Sequence, residues 1–290
     1  VKAMMPVLLR YGMNFFMPLS SGTGYKGFAL TSPFIYQNGS GYVTDDGTAS
    51  LFDTDNFIDA MQEMTDLYKI YGMSTSLPSF YHSFRSGEVP IGIATFGTYL
   101  QLQVAAPELA GKWGIALTPG TKQEDGTILR YQPATSNTCM ILKNTQKSEE
   151  AWSFLKWWLS TDVQTRYAYL LQSRYGSEYR WNSANLKAFA QMPYDAEDRE
   201  VIMTQWKDQR ETVNHPANYM IERESSEIWN GVVVDSEALI EEIDKATTLT
   251  NREIRRKLTE FGFCDKDGNV IERGTHRELM RLGGFYRELY

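Results

Sequence analysis

The chain has 290 residues, of which 42% are hydrophobic and 22% are charged, and this composition is typical of one large or two medium globular domains. A net charge of −7 and a pI of 5.2 argue against nucleic acid as the main partner. The sequence has no run of about 18 apolar residues, so it predicts no membrane-spanning helix.

Aromatic residues make up 13% of the chain, with 17 Tyr and 7 Trp. These side chains combine an apolar ring face with a polar group, which suits ligands that carry both, above all sugars. Tyr-rich helices at a half-exposed surface give the same composition, so both interpretations stay open. Cys139 and Cys264 show neither metal-ligand spacing nor a disulfide framework, which leaves the redox compartment open.

The first residues, VKAMMPVLLRYG, predict the end of a helix that closes at Gly12. They are too short and too poorly organised for a signal peptide, and we interpret the chain as a fragment. The stretch from Asn14 to Gly47 is aromatic and nearly uncharged, which is typical of a binding loop or a disordered loop. Its Phe and Tyr content favours order, with a buried helix from Phe28 to Tyr36.

The next segment carries the most regular apolar pattern of the first third. It predicts a helix from Asp55 to Tyr71, capped by Asp53 and stopped at Gly72. One face of this helix is apolar throughout, because apolar residues recur at three- and four-residue intervals. We therefore expect that face to lie in a core.

The segment from Phe84 to Leu102, FRSGEVPIGIATFGTYLQL, predicts a short buried strand, a break and the start of a helix at Tyr99. Small ligands of open α/β folds bind at the carboxyl ends of strands, so this corner is a candidate binding site. An ordinary corner without a ligand fits the same spacing.

The middle of the chain predicts two further strands, Gly111–Leu117 and Thr138–Leu142, with a charged hairpin tip at 123–126 between them. Beyond them the patterns are helical. The first of these helices, Glu149–Leu159, has Ser148 as its cap. Its tryptophans, Trp152, Trp157 and Trp158, fall at helical spacing and are interpreted as core. A last helical pattern begins at Ile221 and continues through a charged run to Gly262.

The order of several motifs resembles that of family 1 extracellular solute-binding proteins, the carbohydrate receptors of bacterial ABC importers. The motifs are a helix ending DLYKIYG, the segment FRSGEVPIGI with TFGTY, the strand and turn WGIALTPG, the crossing ATSN, and SEEAWSFLKWWLSTDVQ. The resemblance covers about Met4 to Gly262.

This resemblance implies an α/β, periplasmic-binding-protein-like (type II) fold of two lobes, with a helix-rich second half and a sugar in the cleft between the lobes. It implies that residues 1–133 and 190–262 build the C-terminal lobe. Residues 134–189 would return to the N-terminal lobe, most of which is absent here, so that the fold is truncated. The remaining piece of that lobe should then expose apolar surface.

Residues 263–290 form a terminal appendage in this interpretation. The segment DGNVIERGTHRELMRLGGFYRELY resembles the closing segment of ATPase domains from ABC exporters. The sequence contains no GxxxxGK[ST] phosphate loop, so we predict no nucleotide site and do not consider His276 catalytic.

We predict no enzymatic activity, no metal and no cofactor. His82, His215 and His276 lie in separate contexts without the partners of a metal site, and no GxSxG motif occurs. Carboxylate pairs such as Glu222/Glu224 are interpreted as solvated helix faces. A glycosidase needs two carboxyl groups about 5–9 Å apart, so a secreted sugar-active hydrolase is one alternative. An interaction scaffold without a ligand is the other.

The predicted ligand-binding residues are aromatic and polar groups at loop–helix junctions. They are Tyr25, Tyr36, Gln37, Thr95, Phe96, Tyr99, Ser136, Tyr219 and Arg223. The resemblance places all of these segments at or near the cleft, and Tyr99 is the first candidate. In such a site an aromatic ring stacks on the C–H face of a pyranose while polar groups bond its hydroxyls.

The sequence therefore predicts the substrate-binding component of a bacterial ABC importer, which binds a mono- or oligosaccharide without catalysis. We expect a monomer whose partners are the carbohydrate and the permease subunits of the importer, with no nucleic acid. The full-length protein would be extracellular or periplasmic, peripheral to the membrane and anchored as a lipoprotein.

Overall fold

The structure is a computed structural model that describes residues 1–20, 25–134, 137–265, 271–272, 274–284 and 287. The chain divides into two compact units, each built from separate stretches of sequence. Unit 1 comprises Val1–Ser21 and Ser76–Glu211, and unit 2 comprises Gly22–Thr75 and Thr212–Tyr290. In the part of the chain that the structure describes, no helix is both long and apolar enough to cross a bilayer.

The regular elements are named here in chain order. The helices are α1 Met5–Arg10, α2 Phe28–Gln37, α3 Asp55–Lys69, α4 Phe80–Ser86, α5 Phe96–Ala105, α6 Ser148–Trp158, α7 Thr161–Tyr175, α8 Leu186–Phe189, α9 Ala196–Gln205, α10 Asn218–Val233, α11 Leu239–Glu260 and α12 His276–Leu282. The strands are β1 Phe15–Phe16, β2 Ile91–Gly92, β3 Thr121–Lys122, β4 Ile128–Leu129, β5 Gln132–Ala134 and β6 Gln209–Glu211.

Unit 1 contains three short ladders. β1 and β2 pair in parallel with Phe16 opposite Gly92, and β5 and β6 also pair in parallel. β3 and β4 form an antiparallel hairpin, which confirms the predicted turn at 123–126. Gly92 is required by the close approach of β1, because a Cβ there would lie 2.6 Å from the Cβ of Phe16.

Two predicted strands are wrong. The described residues of Gly111–Leu117 and Thr138–Leu142 form no ladder. Both segments carry strand-like sequences, but a strand is stable only when a neighbour satisfies its backbone N–H and C=O groups. In the second segment Met140 and Leu142 are each more than 70% exposed, so their side chains gain little from packing.

The core of unit 1 is largely aromatic. One cluster includes Tyr99, Phe189, Met192, Tyr194 and Ile202, and the second includes Tyr81, Leu102 and Ala106. Helix α5 begins at Phe96, three residues before the predicted start. The reason is its N-cap, Thr95, whose side chain accepts a hydrogen bond from the N–H of Thr98.

Unit 2 is a helical assembly of α2, α3, α10 and α11. The predicted buried helix at Phe28 and the predicted stop at Gly72, which has a φ of 72°, are both confirmed. Asp53 does not cap α3, because the cap position is Thr54 and its hydroxyl donates to Leu51 instead. The predicted single helix from Ile221 is in fact two helices, α10 and α11, separated at residues 234–238.

Helix α6 in unit 1 corrects the interpretation of the tryptophans as core. None of its residues is buried, and Trp152 and Trp157 are each more than half exposed. The helix is amphipathic, and its apolar face is only partly covered: Trp158 is half-buried and packs against Tyr167 of α7 and against Trp181, while Trp152 and Trp157 stay exposed. Exposed apolar surface was expected in this part of the chain, and the polypeptide that covers it stays a prediction.

Candidate functional site

The predicted binding residues fall in both units. Tyr25, Tyr36, Gln37, Tyr219 and Arg223 belong to unit 2, and Thr95, Phe96 and Tyr99 belong to unit 1. Ser136 lies outside the described residues. Each unit is therefore described separately.

Tyr25 in unit 2 combines an exposed ring with a tethered hydroxyl. The residue is 56% exposed, and its hydroxyl donates to the carboxylate of Glu222 in α10. The same carboxylate accepts the N–H of Phe28 through Oε1 at 2.7 Å. Partial burial and the neighbouring carboxylate raise the pKa of the Tyr25 hydroxyl, so it stays a donor at neutral pH.

The backbone beside Tyr25 is anchored on α10 at two points. The N–H of Lys26 donates to Ser226 Oγ at 2.7 Å, and the N–H of Phe28 donates to Glu222. Gly27 lies between these bonds, and a Cβ on it would meet Glu222 Oε1 at 2.6 Å. Since its φ is −63°, glycine is required here by the close approach and not by the backbone conformation.

Lys26 itself points into unit 2. It is 3% exposed, and its Nζ lies 4.7 Å from the centroid of the Trp229 ring. Burial lowers the pKa of this ammonium group, and the ring face offsets part of its desolvation. The positive charge of Lys26 is therefore buried against Trp229.

Tyr36 and Gln37 are buried at the end of α2. The Tyr36 ring packs edge-on against Tyr42 at 5.9 Å, and the Tyr42 hydroxyl forms a 2.7 Å hydrogen bond with Thr31. In this structure both predicted residues contribute to the core beneath the loop. Their role toward a ligand stays a prediction.

Tyr219 and Arg223 are exposed side chains of α10, and each is held by a carboxylate. The Tyr219 hydroxyl donates to Glu253, which also pairs with Arg256 at 2.6 Å. The bond from Arg256, followed by that from Tyr219, holds the pKa of Glu253 at about 2. Arg223 donates two hydrogen bonds to Glu224 Oε1, from Nε at 2.9 Å and from Nη2 at 2.7 Å.

The unit 1 residues surround the start of α5. Thr95 is exposed, while Phe96 is half-buried and stacks on Tyr99 with 5.7 Å between ring centroids. Phe96 also contacts Tyr194 and Trp206. A ligand role for Thr95 and Phe96 stays a prediction.

Tyr99, by contrast, is only 6% exposed, and a polar network holds its hydroxyl. The hydroxyl donates to Asp198 Oδ2 at 2.7 Å and accepts from Gln103 Nε2 at 2.7 Å. Arg180 donates in turn to the side-chain oxygen of Gln103. Burial, together with Asp198, raises the pKa of Tyr99, so the phenol stays protonated in this network.

Several of these partners were not found from the sequence. Glu222 and Glu224 were interpreted as a solvated helix face, but Glu224 is buried and Glu222 is bonded to Tyr25 and to the N–H of Phe28. Asp198 follows the N-cap Asp195 and looked like an ordinary first-turn acid. No sequence signal joins it to Tyr99, which lies 99 residues away.

The described residues contain no group of three or more His, Cys, Asp or Glu side chains that could hold a metal ion. His215 uses both ring nitrogens within unit 2. Its Nδ1 accepts the N–H of Ala217 at 3.0 Å, and its Nε2 lies 2.9 Å from the carbonyl oxygen of Gly47. It is a structural residue that joins the loop at Gly47 to the start of α10.

Residues 17–165, about half of the chain, match the family described as bacterial extracellular solute-binding protein. The chain belongs to this family. A comparison of the sequence with curated proteins gave no match.

Solved structures give the fold of this solute-binding protein. The sugar-binding protein MalE from Xanthomonas citri is similar with a TM-score of 0.67 and 16% identity, covering 86% of this chain and 60% of that one. A cyclic α-maltosyl-1,6-maltose binding protein from Arthrobacter globiformis has a TM-score of 0.62 and 18% identity, covering 88% and 63%. An ABC transporter solute-binding protein from Thermotoga lettingae, bound with α-D-tagatose, has a TM-score of 0.60 and 17% identity, covering 85% and 61%.

These similarities confirm the predicted α/β, periplasmic-binding-protein-like (type II) fold. The solute-binding protein described here spans about 60% of the length of the structures that it matches. The assignment of its segments to lobes stays a prediction.

Proposed function

We propose that this solute-binding protein is the substrate-binding component of a bacterial ABC importer and that its solute is a mono- or oligosaccharide. The family match over residues 17–165 carries the proposal, and solved structures of the same fold that bind sugars support it. The exposed ring of Tyr25 beside hydrogen-bonding groups agrees with this solute class, because stacking and hydroxyl bonding are the two contacts that sugars use.

The proposed role is recognition without catalysis. A glycosidase needs a carboxylic acid with a raised pKa, whereas the described carboxyl groups with shifted pKa values, including Glu108, Asp125, Glu253 and Glu278, are all shifted downwards. Glu222 and Asp198 each accept a hydrogen bond from a tyrosine hydroxyl, which stabilises the ionised carboxylate and not the neutral acid. These observations favour a receptor over the alternative of a sugar-active hydrolase.

The proposal extends to the place of the protein in transport. Residues 1–133 and 190–262 would build the C-terminal lobe of the receptor fold and residues 134–189 would belong to its N-terminal lobe, with sugar bound in the interlobe cleft. Lobe closure on the sugar would present a surface to the permease subunits. The receptor would be monomeric, extracellular or periplasmic, and anchored as a lipoprotein.

The test is calorimetric titration and thermal melting of the chain with maltose, tagatose and a panel of neutral mono- and oligosaccharides. We expect one of these sugars to bind and to raise the melting midpoint by several degrees through mass action. The same samples, analysed for reducing ends after a day, should show no hydrolysis. Cooperative melting with no response to any sugar would remove the carbohydrate assignment, and released monosaccharide would favour the hydrolase.

A further inference from the structure

We propose that Glu222 is a ligand-binding residue of unit 2 and that, with Tyr25, it selects sugars without a negative charge. The inference rests on the proposed carbohydrate function and specifies the solute class. Uncharged polyols and amine-bearing sugars would bind, and sugars that carry a carboxylate would be excluded.

The first step is the orientation of the carboxylate. The N–H of Phe28 and the hydroxyl of Tyr25 come from one short segment and converge on Glu222. Two donors fix the plane of the group but do not saturate it, because a carboxylate has about four acceptor positions. Remaining acceptor positions on a fixed, partly exposed carboxylate suit the hydroxyl pair of a sugar ring.

The second step is the backbone that makes this contact possible. A side chain at position 27 would occupy the space of Glu222 Oε1, so glycine allows the segment to lie directly on the carboxylate. Tyr25, which precedes Gly27, is thereby held with its ring more than half exposed and its hydroxyl bonded to Glu222. The ring face and the carboxylate lie next to each other, which is the combination that a pyranose needs.

The third step is the local charge. Lys26 is buried with its Nζ over the Trp229 ring, and Arg223 pairs with Glu224; in the described part of the chain Glu222 takes part in no ion pair. A negatively charged ligand approaching Glu222 would meet repulsion between like charges and lose a hydrogen-bond donor. A hydroxyl or ammonium group in the same position donates to the carboxylate.

The test on the unmodified chain uses glucose, glucosamine and glucuronate, three probes that share a ring and differ in charge, in competition with the tightest neutral sugar from the panel. We expect glucose and glucosamine to compete and glucuronate to be at least tenfold weaker. Competition by glucuronate at the same concentration as glucose would overturn the inference, and this arm needs no variant that has to fold.

The second arm changes the residues. Glu222→Gln keeps an acceptor for Phe28 but removes the charge, and Tyr25→Phe keeps the ring but removes the hydroxyl. We expect the Kd for the neutral sugar to rise at least tenfold in the first and about fivefold in the second, and the discrimination against glucuronate to shrink in Glu222→Gln. The matched control is Glu241→Gln, an exposed glutamate of α11, which should bind like the unmodified chain.

The outcomes separate the two proposals. If the unmodified chain binds a neutral sugar and Glu222→Gln binds it equally well, the role of Glu222 is wrong and the carbohydrate function stands. If the unmodified chain melts cooperatively and binds no sugar, the proposed function falls and this inference falls with it.

Discussion

Two tryptophan-containing helices, α10 in unit 2 and α6 in unit 1, have amphipathic sequences but different surroundings. In α10 nine residues are buried and Trp229 has no exposed surface. In α6 no residue is buried, and Trp157 is 55% exposed. An amphipathic pattern thus predicts that a helix has an apolar face, but the neighbouring elements decide whether that face is covered.

The largest expected effect comes from truncating one tryptophan in each helix. Trp229→Ala should lower the free energy of unfolding by about 3–5 kcal/mol, because it leaves a large cavity and removes the contacts with Lys26 and Tyr68. Trp157→Ala should change it by less than about 1 kcal/mol, because a half-exposed ring loses little buried area. Urea unfolding followed by far-UV circular dichroism measures both.

If Trp229→Ala and Trp157→Ala lowered the free energy of unfolding equally, the contrast between a buried α10 and an exposed α6 would be wrong. Equal losses would mean that the apolar face of α6 is covered in solution, for example by a second copy of the chain. Sedimentation of the unmodified chain at several concentrations would then identify that copy.

The next effect is smaller and concerns the buried polar network of unit 1. Tyr99→Phe keeps the ring stacked on Phe96 but removes the hydroxyl that donates to Asp198 and accepts from Gln103, which are otherwise linked only by a longer bond of 3.4 Å. We expect a loss of about 1–2 kcal/mol in unfolding free energy, because two hydrogen bonds of a partly buried network are lost. The matched control is Tyr175→Phe at an exposed position, which should be neutral. Identical stability of the two variants would show that the network does not hold α5 to α9.

A third prediction tests the attachment of α10 to the loop at Gly47. Burial lowers the pKa of His215 below its usual value of about 6.5. The hydrogen bond to the Gly47 carbonyl raises this pKa, but by less. The folded state therefore favours neutral His215, whose Nδ1 accepts the Ala217 N–H. The contribution of this lowered pKa to the free energy of unfolding is complete above the unfolded pKa of about 6.5 and is lost as the pH falls through the folded pKa.

The measurement is the urea midpoint of the chain and of His215→Gln between pH 8 and pH 5. The difference between the two proteins should shrink as the pH falls. A constant difference across this range would show that His215 does not titrate between the folded and unfolded states.

The sequence was most informative where a signal is local. The helix at Phe28 and the stop at Gly72 were predicted because periodicity and helix-terminating residues lie within a few positions of one another. The strands at Gly111–Leu117 and Thr138–Leu142 were predicted wrongly, because a ladder depends on a partner that no local pattern contains.

In the candidate site, too, contacts between residues far apart in sequence were not predicted. Tyr25, Tyr219 and Arg223 were predicted as binding residues from residue type and context, and that role stays a prediction, whereas the carboxylates bonded to them were not predicted as their partners. Glu222 meets Phe28 across 194 positions, and a contact of that separation follows from the packing of α10 and not from any local pattern. The resemblance to solute-binding proteins supplied the fold, which composition and spacing alone left open.

The smallest expected effect returns to α6 and sharpens the comparison with α10. Replacing Trp152 and Trp157 together by Gln should change the unfolding free energy by no more than about 0.5 kcal/mol, because both rings are already more than half in water. The same change should reduce the fluorescence of a bound apolar dye such as anilinonaphthalene sulfonate, since an exposed apolar patch is lost. If stability instead falls by several kcal/mol, the face is buried in solution and α6 belongs to a core, as α10 does. A drop in dye fluorescence at unchanged stability would mean that the α6 surface is available to a further polypeptide, which is what the proposed assignment of residues 134–189 to a second lobe requires.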